Sequence, residues 1–353
     1  RQLQMCIRDS TLIMLKSCEI DFNNPPAKAQ EIISAGDVPL GTQGNLFGIT
    51  GGEGTGKSNY VAAIVAGCIC PAGAEVDTLG IQITANGRHK AVLLYDTEQS
   101  EVQLFKNVSN LLARAKQPDK PDELKAFCLT GMSRKERLNA IVQSMDKFYY
   151  QYGGIQLVVI DGIADLVKSA NDETESVAVI DELYRLAGIY NTCILCVLHF
   201  VPNGLKLRGH LGSELQRKAA TILSIEKDDE PTQSVVKALK VRDGSPLDVP
   251  LMLFAWDKET GMHVYKGEKP RKEKEKRKER ELVNVARDIF GRQTRITYID
   301  LCEQLQQVLD IKERTAKSYI RFMRERYIIT KDTANQSCFV IGSYNLQWNT
   351  SRP

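Results

Sequence analysis

No apolar run in this sequence approaches the roughly 20 residues a membrane helix needs. "TLIML" at 11–15 is broken by Lys16 and is too short for a membrane span or a signal-peptide core, so a cytoplasmic protein with no membrane partner is expected. A disulfide framework is not expected either. The nine cysteines, an odd number, are scattered through apparent strands and helices, as reduced and mostly buried thiols would be. There is no internal repeat, and 42% hydrophobic with 26% charged residues excludes a fibre or a disordered chain. One-signed charge is missing as well, since the net charge is +3 over 353 residues. Lys and Arg nevertheless outnumber Asp and Glu by 20 to 12 from Lys266 onward, leaving residues 1–265 near −5, so attraction to nucleic acid is expected to be local. The length suits one large domain and one small one. The chain opens on Arg1 rather than Met, so its natural start is expected upstream.

From Asn45 to Tyr265, short apolar runs alternate with helical patterns, the signature of an α/β fold with a mostly parallel sheet covered by helices. Strands are expected at 45–50, 91–96, 125–130, 155–161, 193–200, 221–226, 235–242 and 250–256. The last of these follow one another without helices and read as antiparallel additions at one sheet edge. Ser133 and Glu136 have the spacing of a helix capping box. Residues 266–281, "KGEKPRKEKEKRKERE", mix charges without an apolar face and mark a linker or a solvated helix. Beyond them, three helical patterns and two short strands, "YIIT" and "SCFVIG", suggest a winged-helix arrangement.

The strongest motif is "GITGGEGTGKSN". A strand ends at Thr50, Gly51-x-x-x-x-Gly56-Lys57-Ser58 follows, and a helical run comes next, which is a P-loop in its proper context. Gly51, Gly52, Glu53, Gly54, Thr55, Gly56, Lys57, Ser58 and Asn59 are therefore the expected nucleotide-binding residues. Their backbone N–H groups would curl around phosphate oxygens at a helix N-terminus, Lys57 would reach the β- and γ-phosphates, and the Ser58 hydroxyl would ligate Mg²⁺. Asp161 closes the most apolar strand, "IQLVVID", and is the expected second metal residue, the alternative being a cap for the next turn. Glu98 in "LLYDTEQS" is the candidate base or water-orienting group, with Asp96 and Gln99 as substitutes and a surface carboxylate as the alternative. His199, ending "CILCVLH", lies on the same rim and would either sense the γ-phosphate or serve structure. Cys193, Cys196 and His199 do not make a zinc site, because a period of two residues sends the cysteines to opposite faces of one strand.

In this order, "GGEGTGKS", the strand ending in Glu98, the strand ending in Asp161, the strand ending in His199 and "LKVRDG" resemble the RecA-like ATPases. The likeness is greatest to hexameric replicative helicases of the DnaB and RepA type, as carried on bacterial mobile elements, and covers roughly residues 40–265. It implies ATP and Mg²⁺ as ligands, Glu98 as catalytic base, and Lys240 with Arg242 as cations that reach the γ-phosphate held by a neighbouring subunit. The alternative for that pair is a solvated basic edge that blunts sheet pairing. The resemblance further implies a ring, a hexamer in that family, acting on single-stranded or duplex DNA with a primase, a relaxase or another mobile-element protein as partner. Two loops are expected to project onto DNA, "DLVKSANDETES" and "VPNGLKLRGHLGSEL". The second offers Lys206 and Arg208 but no aromatic beyond Phe200, which favours backbone tracking over base stacking. Arg208, Arg217 or Lys218 could instead contact the γ-phosphate across the interface.

In "KERTAKSYIRFMRER", Ala316, Ile320 and Met323 share one helical face while Arg314, Lys317, Arg321 and Arg324 share another. This is how a recognition helix presents cations to a DNA groove, the alternative being a helix used for protein contacts. The expected division is an N-terminal extension (1–44), a RecA-like ATPase domain (45–265), a charged linker (266–281) and a winged-helix-like DNA-binding domain (282–345). The expected function is that of an ATP-dependent DNA helicase or translocase in replication or transfer of a plasmid or mobile element. The rivals are a non-unwinding RecA-like switch and an ATP-controlled binder of replication origins.

Overall fold

The computed structural model describes residues 15–16, 18–199, 209–228, 230–242, 244–270, 273–291 and 293–342. The chain divides into two units, Arg1–Gln30 and Glu31–Pro353. In the first, residues 18–30 are exposed, and the Asp21 carboxylate closes a turn by accepting from Asn23 N at 2.9 Å.

The second unit opens with a hairpin, β1 (Glu31–Ala35) and β2 (Val38–Thr42), before β3 (Leu46–Gly51) and α1 (Lys57–Ile69). There follow β4 (Gln82–Ile83), β5 (Ala91–Asp96), α2 (Glu101–Arg114), β6 (Leu124–Cys128), α3 (Arg134–Tyr152), β7 (Ile155–Asp161), α4 (Glu173–Ile189) and β8 (Cys193–His199). After α5 (Gly209–Lys218) come four successive strands, β9 (Thr221–Lys227), β10 (Gln233–Val241), β11 (Leu251–Asp257) and β12 (Met262–Lys269). The nine-stranded sheet has the order β12-β11-β10-β9-β3-β8-β7-β5-β6. Pairing is parallel from β9 through to β6 and antiparallel from β9 outward to β12, so the late strands do extend one edge.

Both faces of the parallel part are covered, and the pleat sorts its residues between two cores. Val92, Leu94, Leu157, Val159, Cys193 and Leu195 pack with α1, whereas Leu93, Tyr95, Val158, Ile160, Ile194 and Cys196 pack with α3 and α4. Cys193 and Cys196 thus lie on opposite faces, as their spacing requires. Burial pushes both thiols up from their ordinary pKa.

Two stretches differ from the sequence reading. The span read as an N-terminal extension, 1–44, contains the β1–β2 hairpin, whose Ile32, Ile33 and Leu40 are buried in the core that α1 shares. The charged stretch read as a linker or a solvated helix, 266–281, divides at Pro270: its first residues finish β12, an edge strand with half-exposed side chains, and those from Glu273 begin a helix, α6 (Glu273–Phe290), as the second alternative has it.

Beyond α6 lie β13 (Ile296–Thr297), α7 (Tyr298–Leu309), α8 (Glu313–Glu325), β14 (Ile329–Lys331) and β15 (Cys338–Ile341), with a small sheet of order β13-β15-β14. These elements have their own core, into which Ala316, Ile320 and Met323 of α8 are buried, leaving Arg314, Lys317, Arg321 and Arg324 exposed. No helix among the described residues is long and apolar enough to cross a membrane.

The Ser133–Glu136 capping box forms at the start of α3, with Ser133 N donating to Glu136 Oε2 at 2.7 Å. Replacing Ser133 by Ala should cost about 1 kcal/mol. The check is a lower urea midpoint with an unchanged slope.

Candidate active site

Parallel strands share a direction, so their C-terminal ends collect on one rim of the sheet. Gly51 pairs with His199 and with Ile225, Asp96 with Asp161, and Asp161 with Val197, which brings the ends of β3, β5, β7, β8 and β9 together. The loop between β3 and α1 sits on this rim. A Cβ at Gly51 would lie 2.3 Å from the Ile225 carbonyl oxygen of β9, and Gly56 adopts φ of +91° with Phe254 close behind it. Neither position accepts a side chain without shifting backbone or a buried ring. Gly56 is the N-cap of α1 and offers no side-chain oxygen to the first-turn N–H groups, and no acid occupies that turn. α2 and α4, by contrast, are capped by the Ser100 and Asp172 side chains. The first N–H groups of α1 are thus left to an external anion.

Lys57 is only 6% exposed and its Nζ donates to Gly51 O at 3.1 Å and Gly52 O at 2.6 Å. Burial lowers its pKa, opposed by Asp161, Glu98 and Glu53. Asp161 is raised to about 7, first by burial and then by Asp96 and Glu98, with His199 and Lys57 pulling the other way. Asp96 is also raised by burial, but its Oδ1 accepts from Glu98 N at 2.9 Å and Gln99 N at 2.8 Å, so it shapes the turn that carries Glu98. The Gln99 amide oxygen accepts from Asn107 of α2. Of the two carboxylates among the candidates, that of Glu98 is the more exposed, and His199 Nε2 lies 3.2 Å from its Oε2.

Sequence reasoning missed two supports of this turn. Thr97 Oγ1 donates to the carbonyls of Asp161 and Gly162 at 3.0 and 2.8 Å, which locks the β5 turn to the β7 turn. Gly162 packs on Glu98, since a Cβ there would meet Glu98 Cγ at 2.6 Å. The only sequence signals were a polar residue beside the candidate base for Thr97 and a glycine just after a strand end for Gly162.

The residues fit a magnesium-bound nucleoside triphosphate. Asp161 and Glu98 act on the one buried ammonium, Lys57, and Asp96 lies beside Asp161, a surplus of negative charge that suits a divalent cation, and the N–H groups at Gly56 suit phosphate. No group of three or more His, Cys, Asp or Glu among the described residues forms a protein-only cage. Mg²⁺ would therefore draw on Ser58, Asp161, phosphate oxygens and water.

Lys240 and Arg242 are elsewhere. β10 runs antiparallel to β9, pairing Lys240 with Ile222, so the pair lies at the rim opposite the phosphate loop. The seven residues of β9 span roughly 20 Å between the two rims. Lys240 Nζ donates to the carbonyls of Gln216 and Arg217 at 2.7 and 3.1 Å, and Arg242 Nη2 donates to that of Lys218 at 2.8 Å. Arg242 Nη1 also reaches Asn45 Oδ1 at 3.1 Å. The two cations thus share a face and cap the C-terminus of α5, where its dipole is negative. Burial and Arg242 lower the Lys240 pKa to about 8. β10 is not the outermost strand, but β11 pairs with it only from Gln233 to Val236, leaving the half that carries Lys240 paired on one side.

The other expected contacts are dispersed. Lys206 and Arg208 lie outside the described residues. Arg217 pairs with Glu214, and Lys218 with Asp181 at 2.8 Å, both near the far rim. On α8, Lys317 pairs with Glu313 and Arg321 with Glu325 one turn away, while Arg324 lies over the Phe339 ring at 5.8 Å.

A carboxyl whose pKa is raised on folding keeps its proton where the unfolded chain has lost it. The Asp161 contribution to stability therefore falls as pH rises from about 3.8 to about 7. Asp161→Asn should raise the Tm of the nucleotide-free protein by several degrees at pH 8, a gap that narrows toward pH 4, as read by thermal melts across that range.

A family model described as an AAA domain matches residues 9–203, more than half of the chain, including the phosphate loop and the strand ends that carry Glu98, Asp161 and His199. No curated protein matches the chain. The phosphate loop, the carboxylate-bearing strand ends and this match agree: the chain belongs to the AAA domain family and carries a P-loop ATPase domain of RecA/AAA-like type.

Proposed function

We propose that the protein is an ATP hydrolase that assembles as a ring, hexameric by its family resemblance, and couples hydrolysis to movement on or remodelling of DNA. The setting would be replication or transfer of a plasmid or mobile element, with a primase or relaxase as partner. The observation that carries this reading is the position of Lys240 and Arg242 at the rim opposite their own phosphate loop. The pair cannot serve the site of its own chain, but it suits the open side of a site on the next copy.

In this reading Lys57 binds the β- and γ-phosphates and balances the charge that develops between them. Glu98 takes a proton from water, the water oxygen bonds to the γ-phosphorus, and the bond from that phosphorus to the β-phosphate oxygen breaks, leaving ADP and phosphate. Mg²⁺ held through Ser58 and Asp161 would supply charge neutralisation at the same oxygens. His199 holds Glu98 at the strand end until substrate contacts compete for it. Arg242 and Lys240 of the neighbour supply cations to the γ-phosphate. The three helices and small sheet after residue 273 are read as a winged helix, with Arg314 and Arg324 the cations of α8 that pair with no glutamate of that helix.

A second reading treats Lys240 and Arg242 as a clamp on the end of α5, and their bonds to its carbonyls favour it. In that case ATP turnover serves a switch within one chain or controls binding to a replication origin.

Glu98→Gln should lower phosphate release by 10²- to 10⁴-fold while nucleotide binding persists. Arg242→Ala should bind ATP normally yet lose 10³-fold or more in turnover, and mixing it with Lys57→Ala should restore part of that activity at hybrid interfaces. The clamp reading predicts a lower Tm for Arg242→Ala and no recovery on mixing. Strand displacement on a forked substrate separates a helicase from a switch.

A further inference from the structure

The phosphate loop accounts for the triphosphate end of a nucleotide and leaves its base unassigned. Beside the loop stands an aromatic ladder on β11 and β12. Phe254 is fully buried behind Gly56 and lies 5.7 Å from the Tyr60 ring of α1, measured between centroids. Two residues on, the pleat returns Trp256 to the same face of the sheet. Ala255 pairs with Gln233, Ser234 with Lys227 and Gly51 with Ile225, so Trp256 stands beyond the level of Gly51, on the rim of the phosphate loop. It is 53% exposed, whereas Phe254 is 0% exposed.

His263 is the cross-strand partner of Trp256 and meets both rings edge-on, at 5.5 Å and 70° to Phe254 and at 5.4 Å and 77° to Trp256. Arg114 of α2 fixes that strand by donating from Nη2 to His263 O at 2.5 Å. The ladder therefore runs from the floor of the phosphate loop outward and ends in an indole that is braced and open to water. Such a ring loses little conformational freedom on gaining a partner, and its free face is apolar and flat.

We infer that Trp256, braced by His263, is the platform on which the base of the bound nucleotide stacks, and that the preferred ligands are purine nucleoside triphosphates. The inference rests on the reading of the phosphate loop. Stacking uses the face of the base and reads no hydrogen-bond pattern, so ATP and GTP bind alike, and the smaller pyrimidine rings bind more weakly.

Trp348→Phe leaves Trp256 as the chain's one tryptophan. In that background ATP and GTP should quench the intrinsic fluorescence, CTP should quench it less, and inorganic tripolyphosphate should bind by calorimetry without quenching. Trp256→Ala should weaken ATP binding on the order of ten-fold, abolish the purine preference and leave tripolyphosphate affinity unchanged. Trp256→Phe should keep part of the preference. Unchanged ATP affinity in Trp256→Ala overturns the inference, as does an equal loss for ATP and tripolyphosphate, which would make the indole a support for the loop. If neither ligand binds the wild-type protein, the phosphate-loop reading fails and takes the base platform with it.

Discussion

The direction of the strands is the constraint on which the rest of the site depends. A parallel sheet with helices on both faces gathers its C-terminal strand ends on one rim, and here that rim receives the phosphate loop, Asp96, Glu98, Asp161 and His199. The change to antiparallel pairing at β9 sends β10 the opposite way. It carries Lys240 and Arg242 to the far rim, next to the end of α5 rather than to the phosphate loop. Lys240 and Arg242 are thus separated from the carboxylates of their own chain by the topology itself.

The phosphate-loop rim carries an electrostatic cost. Asp161 is buried beside two other carboxylates and is driven well above its ordinary pKa, with Lys57 and His199 only partly offsetting this. Lys57 meanwhile is held by loop carbonyls rather than by a carboxylate. A metal-bound triphosphate would supply what each lacks, a cation for the carboxylates and an anion for the ammonium and the N–H groups of α1. On the far side, α5 is held at both ends: Leu211 N donates to Ala170 O at 3.0 Å near its start, and its last carbonyls accept from Lys240 and Arg242.

The buried parallel strands were the most legible elements in the sequence. β5 and β7 have the limits their apolar runs predict, because a strand covered on both faces shows as an unbroken run ended by a charge. The capping box and the helical spacing of Ala316, Ile320 and Met323 were legible for the same reason, that local chemistry decides them. The β1–β2 hairpin was missed although Gly36 and Asp37 between apolar flanks are a turn signal. β12 was missed because an edge strand carrying lysines resembles a solvated tail. In the site, the glycines and Lys57 were nameable as candidates from their place between a strand and a helix, Asp161 because it closes a strand, and Glu98 because it lies two residues past one. What spacing cannot show is tertiary: that Asp96 is consumed by a turn, that Thr97 ties two turns together, or that the partner of the Lys240–Arg242 pair within the chain is a helix end.

The proposal that each site is finished by another copy is most directly tested by phosphate release per subunit, measured over a dilution series that spans assembly. Turnover should climb steeply with protein concentration and fall toward zero for dilute single chains. Turnover that stays constant down to the isolated chain would contradict it.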